Sequence, residues 1–402
     1  MRWGTATALL GIASTFALGP TAPAAADPPT VSWTADLRQG EAAGIVLADG
    51  VARIDPSSAF VAVAEGAPAG APAQPTGLLT LPARRLAVAT DHVAVTVTGE
   101  VPADATATVD VRGRRGTGGW TEWIPATPGR DGPVVLLPTA SAEVQARLVL
   151  SGDPAAGPTV RDVVLTARPA PPGRAESDER AHALSYRVFA TREGLVGRKT
   201  ANGHVIADRD HFVALPSRRS LSPRGSSDYS VKVCAPTGRC AFAPVWDVGP
   251  WNTRDDYWNP GHQRQQWGDL PQGVPQAQAA HDGGYNGGKD QYDRRVANPA
   301  GIDLGDGVFW DALRLKNNSW VHVEYLWTGK ENLAAVEAAT DVRAAPDAAA
   351  AIVGFAAGHA SVPVQCVQDR WLRIGTNQYV EAAAVPDPPR VAACTPTPIR
   401  TP

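Results

Sequence analysis

Lysine is scarce in this 402-residue chain: of 37 basic residues only 5 are Lys. Methionine occurs once, and neither sign of charge dominates, with 37 basic residues against 40 acidic. A formal charge of −3 supplies no basic field for nucleic acid, so no nucleic-acid partner is expected. No apolar run of about 18 residues follows the N-terminal segment, so no membrane-spanning helix is expected. The spacing H-E-x-x-H is absent, which removes the commonest zinc-peptidase reading, and His322-Val323-Glu324 fits the alternation of a strand. The 4 Cys lack the paired C-x-x-C spacing of a structural zinc site. No cofactor and no metal are expected. What the chain does have is 39 Gly, 36 Pro and 12 Trp, with the Trp concentrated in the second half. That composition favours turn-rich β structure over long helices. An apolar fraction of 44% supports packed cores, and the length suits two or three of them.

Residues 1–26 read as a secretory signal. Arg2 gives a small positive start, Ala6 to Leu18 an apolar stretch, and Ala24-Ala25-Ala26 a small-residue cleavage site. The expected mature protein is secreted, extracellular or cell-wall associated, and monomeric. Export makes Cys234, Cys240, Cys366 and Cys394 candidates for disulfides. Three pairings are possible, and proximity favours Cys234–Cys240 and Cys366–Cys394.

Three blocks follow. In residues 27–168, alternating runs such as Val93-Ala94-Val95-Thr96-Val97 and Thr106-Ala107-Thr108-Val109-Asp110-Val111 predict half-buried strands of an antiparallel β-sandwich. Residues 169–182 are rich in Pro and charge and read as a linker. Residues 183–328 carry strand-like runs around Val188, Val233, Val245 and Val323, with a hairpin framed by Cys234 and Cys240. Residues 334–386 show short strands at regular intervals, the pattern of a small barrel. Residues 387–402 are a polar tail. The expected fold class is all-β throughout.

Gly118-Gly119-Trp120-Thr121-Glu122-Trp123 in the first block resembles galactose-binding-like sandwiches. Trp120 or Trp123 could stack on a sugar there, or fill the core. The third block resembles the bacterial SH3-like domain through Val342-Arg343, Pro346, Gly358, Trp371 and Tyr379-Val380, which implies docking on cell-wall peptide stems. In the second block five pieces stand in one order: Thr200-Ala201-Asn202-Gly203, His211 with Leu215-Pro216, Val245 to Trp251, Ile302-Asp303-Leu304, and Val321 to Leu326. They resemble the double-psi β-barrel of the rare lipoprotein A family, with expansins and barwin as more distant relatives. The resemblance implies a six-stranded barrel whose groove opens beside Asp247.

It also implies chemistry on a glycan strand. In the lytic transglycosylases of that family a Glu, a His and an Asp are implicated. His211 and Asp247 match the last two, and His204 stands where the Glu belongs. Glycosidic cleavage needs a carboxylic acid to protonate the leaving oxygen. Flanking indoles would raise the pKa of Asp247 toward that role, and His211 would exchange protons with it. A carboxylate that only caps a loop is the plainer reading of Asp247. Asn202, His204, Asp208, Asp210, Trp251 and Asp303 complete the expected groove, with Asp208 and Asp210 the candidates to replace the Glu.

Residues 253–300 form an insertion longer than the resemblance leads one to expect. Tyr257, Trp258, Trp267 and Tyr285 are its candidate glycan-binding rings, and packing on the barrel is the alternative. The run from Asp282 to Asp290 offers oxygen ligands without the spacing of a calcium loop. Three functions emerge: a cell-wall enzyme that cuts peptidoglycan or a related polysaccharide, an expansin-like protein that binds it without cutting, or a secreted module that binds a partner protein.

Overall fold

In the computed structural model, residues 1, 30–62, 65–67, 74–116, 118–170 and 182–395 are described. Almost all of the expected signal, most of the linker and the end of the tail lie outside them. The fold is all-β, with one short α-helix at Gln276–Gly283 among the described residues.

Six strands build the central barrel: β1 (Leu184–Glu193), β2 (Val213–Leu215), β3 (Ser230–Cys234), β4 (Cys240–Val248), β5 (Ala300–Gly305) and β6 (Ser319–Tyr325). They pair in the order β2-β5-β1-β6-β3-β4, and a β2–β4 pairing closes the circle. Two of the six pairings, β1–β5 and β2–β4, are parallel. Closure removes the open edges that a flat sheet would expose. Inward-facing Val188, Val213, Val231, Val245, Ile302, Leu304 and Val323 fill the interior. The β3–β4 hairpin is stapled where expected, by Cys234–Cys240, and the second disulfide is Cys366–Cys394.

The N-terminal unit is the antiparallel sandwich, carried by strands Arg84–Glu100 and Gly132–Ser151, long enough to serve both layers. Register shifts between Leu136 and Glu143 bend the second of these. The unit is welded to the barrel. Buried Trp123 belongs to the barrel's core, and its Nε1–H donates to the Leu221 carbonyl at 3.1 Å. The Arg112 guanidinium lies over the rings of Trp120 and Trp123, at 4.4 and 4.2 Å. Sugar stacking at either indole is thereby overturned, because each ring face already carries a cation and packing neighbours.

The C-terminal unit is a small, nearly closed barrel. Its strand Ile352–Ala356 adds in parallel to β4, so its sheet continues that of the central barrel. Phe242 and Leu326 of the central barrel sit in its core. Trp371 is buried there as a core ring, and Tyr379 is half-buried.

Candidate functional site

The site begins with a three-residue strand. In β2, Ala214 is the register partner of Asp247 on one side and of Asp303 on the other. Partners in a ladder share a face, so the two carboxylates stand together with only a methyl group between their strands. Asp247 reaches that face through a bulge. Val213 pairs with Val245, yet Ala214 pairs with Asp247, so one residue of β4 is skipped. Without the skip, Asp247 would follow Ala241, Ala243 and Val245 into the apolar interior. Thr191 of β1 pairs with Asp303 and donates its hydroxyl to that carboxylate. Glu193, two residues on and on the same face, completes a cluster of three acids.

Each acid is held differently. Asp247 Oδ1 accepts the backbone N–H of Ala201 and of Val248, both at 2.8 Å. The Thr200–Gly203 turn therefore fixes the side chain, and Asn202 fixes the turn: its Oδ1 accepts from the Thr200 hydroxyl at 2.7 Å and its Nδ2 donates to the Ser222 carbonyl at 3.1 Å. Glu193 is buried and its Oε2 meets no N–H or O–H donor. It stands close enough to Asp247 for each carboxyl to act on the other's titration.

Burial, followed by the negative charge of Asp247 and Asp303, pushes the Glu193 pKa well above the ordinary range. Burial also raises Asp247, against the pull of its hydrogen bonds and of the Arg198 charge. Asp303 is raised to about 7, again chiefly by burial, with the Thr191 hydroxyl opposing.

Two cavities meet at these acids. One, of about 330 Å³, is lined by Glu193, Asp247, Asp303, Arg198, Lys199 and the segment 56–61 of the N-terminal unit. The other, of about 530 Å³, is lined by Glu193, Asp303, Arg192, Trp310, Lys316 and Glu65, among others. Glu193, Leu195 and Asp303 belong to both, so the cavities are the two arms of one trough across the acid cluster.

Asp247 and Asp303 were legible in the sequence as groove residues; Glu193 was not. The other expected residues lie elsewhere. His211 does not join Asp247: its ring stacks on Phe355 at 4.4 Å, and its nearest charges are Asp311 and Asp210. Burial lowers its pKa, against the pull of those two carboxylates. His204 bonds Asp210 at 2.8 Å and packs on Trp246 at 4.5 Å. Asp210 is thus spent on that ring and on the Ala207 N–H, and Asp208 is exposed outside both arms. Neither lines the trough, whereas Glu193 lines both arms. Asn202 is a brace, and Trp251 is fully buried with its Nε1–H on Asn298 at 3.1 Å.

The rings of the insertion are also corrected. Tyr257 and Trp258 are fully buried. The Tyr257 hydroxyl bonds that of Tyr325 at 2.6 Å, and Trp258 Nε1–H donates to Glu122 at 2.6 Å. Trp267 and Tyr285 pack edge to face at 5.8 Å and line neither arm. Buried Asp290 is committed to Arg294 at 2.6 Å, and Asp282 to His281 at 2.6 Å. No group of three or more metal-ligating side chains is placed to hold an ion among the described residues.

Taken together, the fold and site define a closed β-barrel with a carboxylic-acid trough on its outer face. The profile of a family described as a domain of unknown function (DUF8814) matches residues 184–324, the extent of the barrel and about a third of the chain. No curated protein and no solved structure gives a significant match.

Proposed function

We propose that the trough binds a glycan strand of the bacterial cell wall, peptidoglycan being the chosen substrate, and cuts it by acid–base chemistry at Glu193 and Asp247. The observation that carries this reading is that Glu193 and Asp247 lie together, beside Asp303, in the wall of one cavity, which lets the two carboxyls share a proton. A two-carboxylate glycosidase keeps its acids about 5–9.5 Å apart to fit a nucleophile or a water. A pair that shares a proton leaves no such gap. It acts as one acid–base unit, which is enough for a lytic transglycosylase. The pair protonates the glycosidic oxygen as the C–O bond breaks. The sugar's own 6-hydroxyl then attacks the anomeric carbon and returns its proton to the pair. An anhydro sugar forms and no water is consumed.

The rare lipoprotein A resemblance supports the same assignment, with the Glu drawn from β1 in place of the turn. The signal expected at residues 1–26 and the two disulfides fit a secreted protein. The absence of any helix long and apolar enough to cross a membrane, among the described residues, agrees with this. A second reading rests on the same pair: two carboxyls sharing one proton also suit activation of water against a peptide bond.

Incubation of the protein with purified wall, followed by mass spectrometry of the soluble products, separates these. Anhydro-muropeptides, lighter than hydrolytic products by one water and missing with Asp247→Asn, are expected. Cleaved peptide stems would replace the glycan reading by the peptidase one. No product, with the protein still sedimenting on wall, would leave the expansin-like binder.

A further inference from the structure

The trough has a charge pattern that acid–base chemistry alone does not require. Its centre is acidic, and each arm carries cations. Arg198 and Lys199 line one arm, on an exposed turn after β1. Neither side chain has an ion-pair or hydrogen-bond partner among the described residues. Lys316 lines the other arm and is likewise unpaired. Beside it Arg192 lies over the Trp310 ring at 4.4 Å and forms an ion pair with Asp306 at 3.0 Å. The charge of Arg198 acts on Glu193 and Asp247 and that of Lys199 on Asp55, but neither makes an ion pair, and cations without an ion pair in both arms of a cleft are placed to meet a ligand's anions.

The opposite wall belongs to the N-terminal unit. Segment 56–61 faces Arg198 and Lys199 across the first arm. Asp55 pins it by accepting the Ser57 N–H at 2.9 Å and the Ser57 hydroxyl at 2.7 Å. Farther along, the insertion clamps the same stretch. Arg294 Nη1 donates to the Ala62 carbonyl at 2.8 Å, and Asn298 Nδ2 to the Glu65 carbonyl at 2.8 Å. Asn318 Nδ2 reaches Glu65 Oε2 at 2.7 Å over the second arm. The barrel alone would have an open shelf; the sandwich makes it a trough.

We propose that the polymer in this trough carries anionic substituents on the units to both sides of the acid cluster, gripped by Arg198, Lys199 and Lys316 against the wall formed by segment 56–61. This rests on the reading of the trough as a polysaccharide site. The N-terminal unit is then a specificity element of the site as well as a neighbouring module.

Affinity electrophoresis of the full chain tests it, in gels holding polygalacturonate, dextran sulfate or neutral dextran. Retardation by the anionic polymers and not by dextran is expected, weakening as salt rises. Arg198→Glu with Lys199→Glu, and Lys316→Glu separately, should each weaken it at least tenfold. Arg130→Glu, an exposed cation lining neither arm, should not. Carboxylated and sulfated polymers distinguish the source of the charge. Equal retardation of the trough variants and wild type, or equal retardation by dextran, would overturn the proposal. The assay needs no cleavage. Charge-dependent binding without wall products would sink the acid chemistry alone, and wall products with charge-independent binding would sink this inference alone.

Discussion

Glu193 and Asp247 line the same cavity, although one ends β1 and the other stands next to last in β4. The parallel β1–β5 pairing, the short β2 and the bulge in β4 bring them together. Two negative charges at that separation, out of water, would repel strongly. The site therefore holds its protons to higher pH than isolated carboxyls do.

Removing either half of the pair should be costly to cleavage. Asp247→Asn and Glu193→Gln are each expected to lower the rate of wall digestion by about 10²–10⁴-fold, the span of general acid–base effects. Binding to wall should survive both. A variant that digests wall at the wild-type rate would remove its residue from the chemistry.

Stability should fall as pH rises across the site. The Asp303 carboxyl titrates near 7 in the folded chain against about 3.8 when exposed, so the folded state holds more protons between these values. Its contribution is full below pH 3.8 and is lost as pH climbs through 7. Each unit of that shift corresponds to about 1.4 kcal/mol at pH 8. Asp303→Asn should flatten the pH dependence of the melting temperature between pH 5 and 8, measured by calorimetry beside wild type. An unchanged slope would count against the shift.

Glu122 should be the most sensitive residue at the junction of sandwich and barrel. It is buried and accepts Trp258 Nε1–H at 2.6 Å, Asn259 Nδ2–H at 2.7 Å and Trp327 Nε1–H at 3.0 Å, with Arg219 at 3.2 Å. Glu122→Ala leaves three donors and part of a buried cation unpaired, an expected loss of about 3–5 kcal/mol. Urea unfolding should show it, and a loss under 1 kcal/mol would refute the role.

The Cys234–Cys240 staple closes a short loop. Replacing both by Ser should cost at most about 2.4 kcal/mol by chain entropy, and removing Cys366–Cys394 about 3.6 kcal/mol. Thermal melts of the two double variants should fall in that order.

The barrel, the sandwich and the disulfides were legible because alternation and turn residues carry strand information locally. Asp247 and Asp303 were legible through the motifs around them. Glu193 was hidden because Thr191-Arg192-Glu193 reads as the frayed end of a strand. Its value comes from a parallel partner more than a hundred residues away in sequence. One signal was available: Thr191 and Glu193 share the face opposite Val188 and Ala190. Tyr257 and Trp258 misled because aromatic density marks a packed core as readily as a sugar platform. His211 misled because motif order places it near Asp247 in sequence pattern, while β2 turns its ring toward Phe355.

The central claim is a proton held between residues 193 and 247, and carbon-13 NMR of Glu-labelled protein reads it directly. The Glu193 carboxyl resonance should keep its protonated shift well above pH 4.5 and titrate at lower pH in Asp247→Asn. A Glu193 signal that ionises near pH 4.5 in wild type, unchanged by that substitution, would contradict the account.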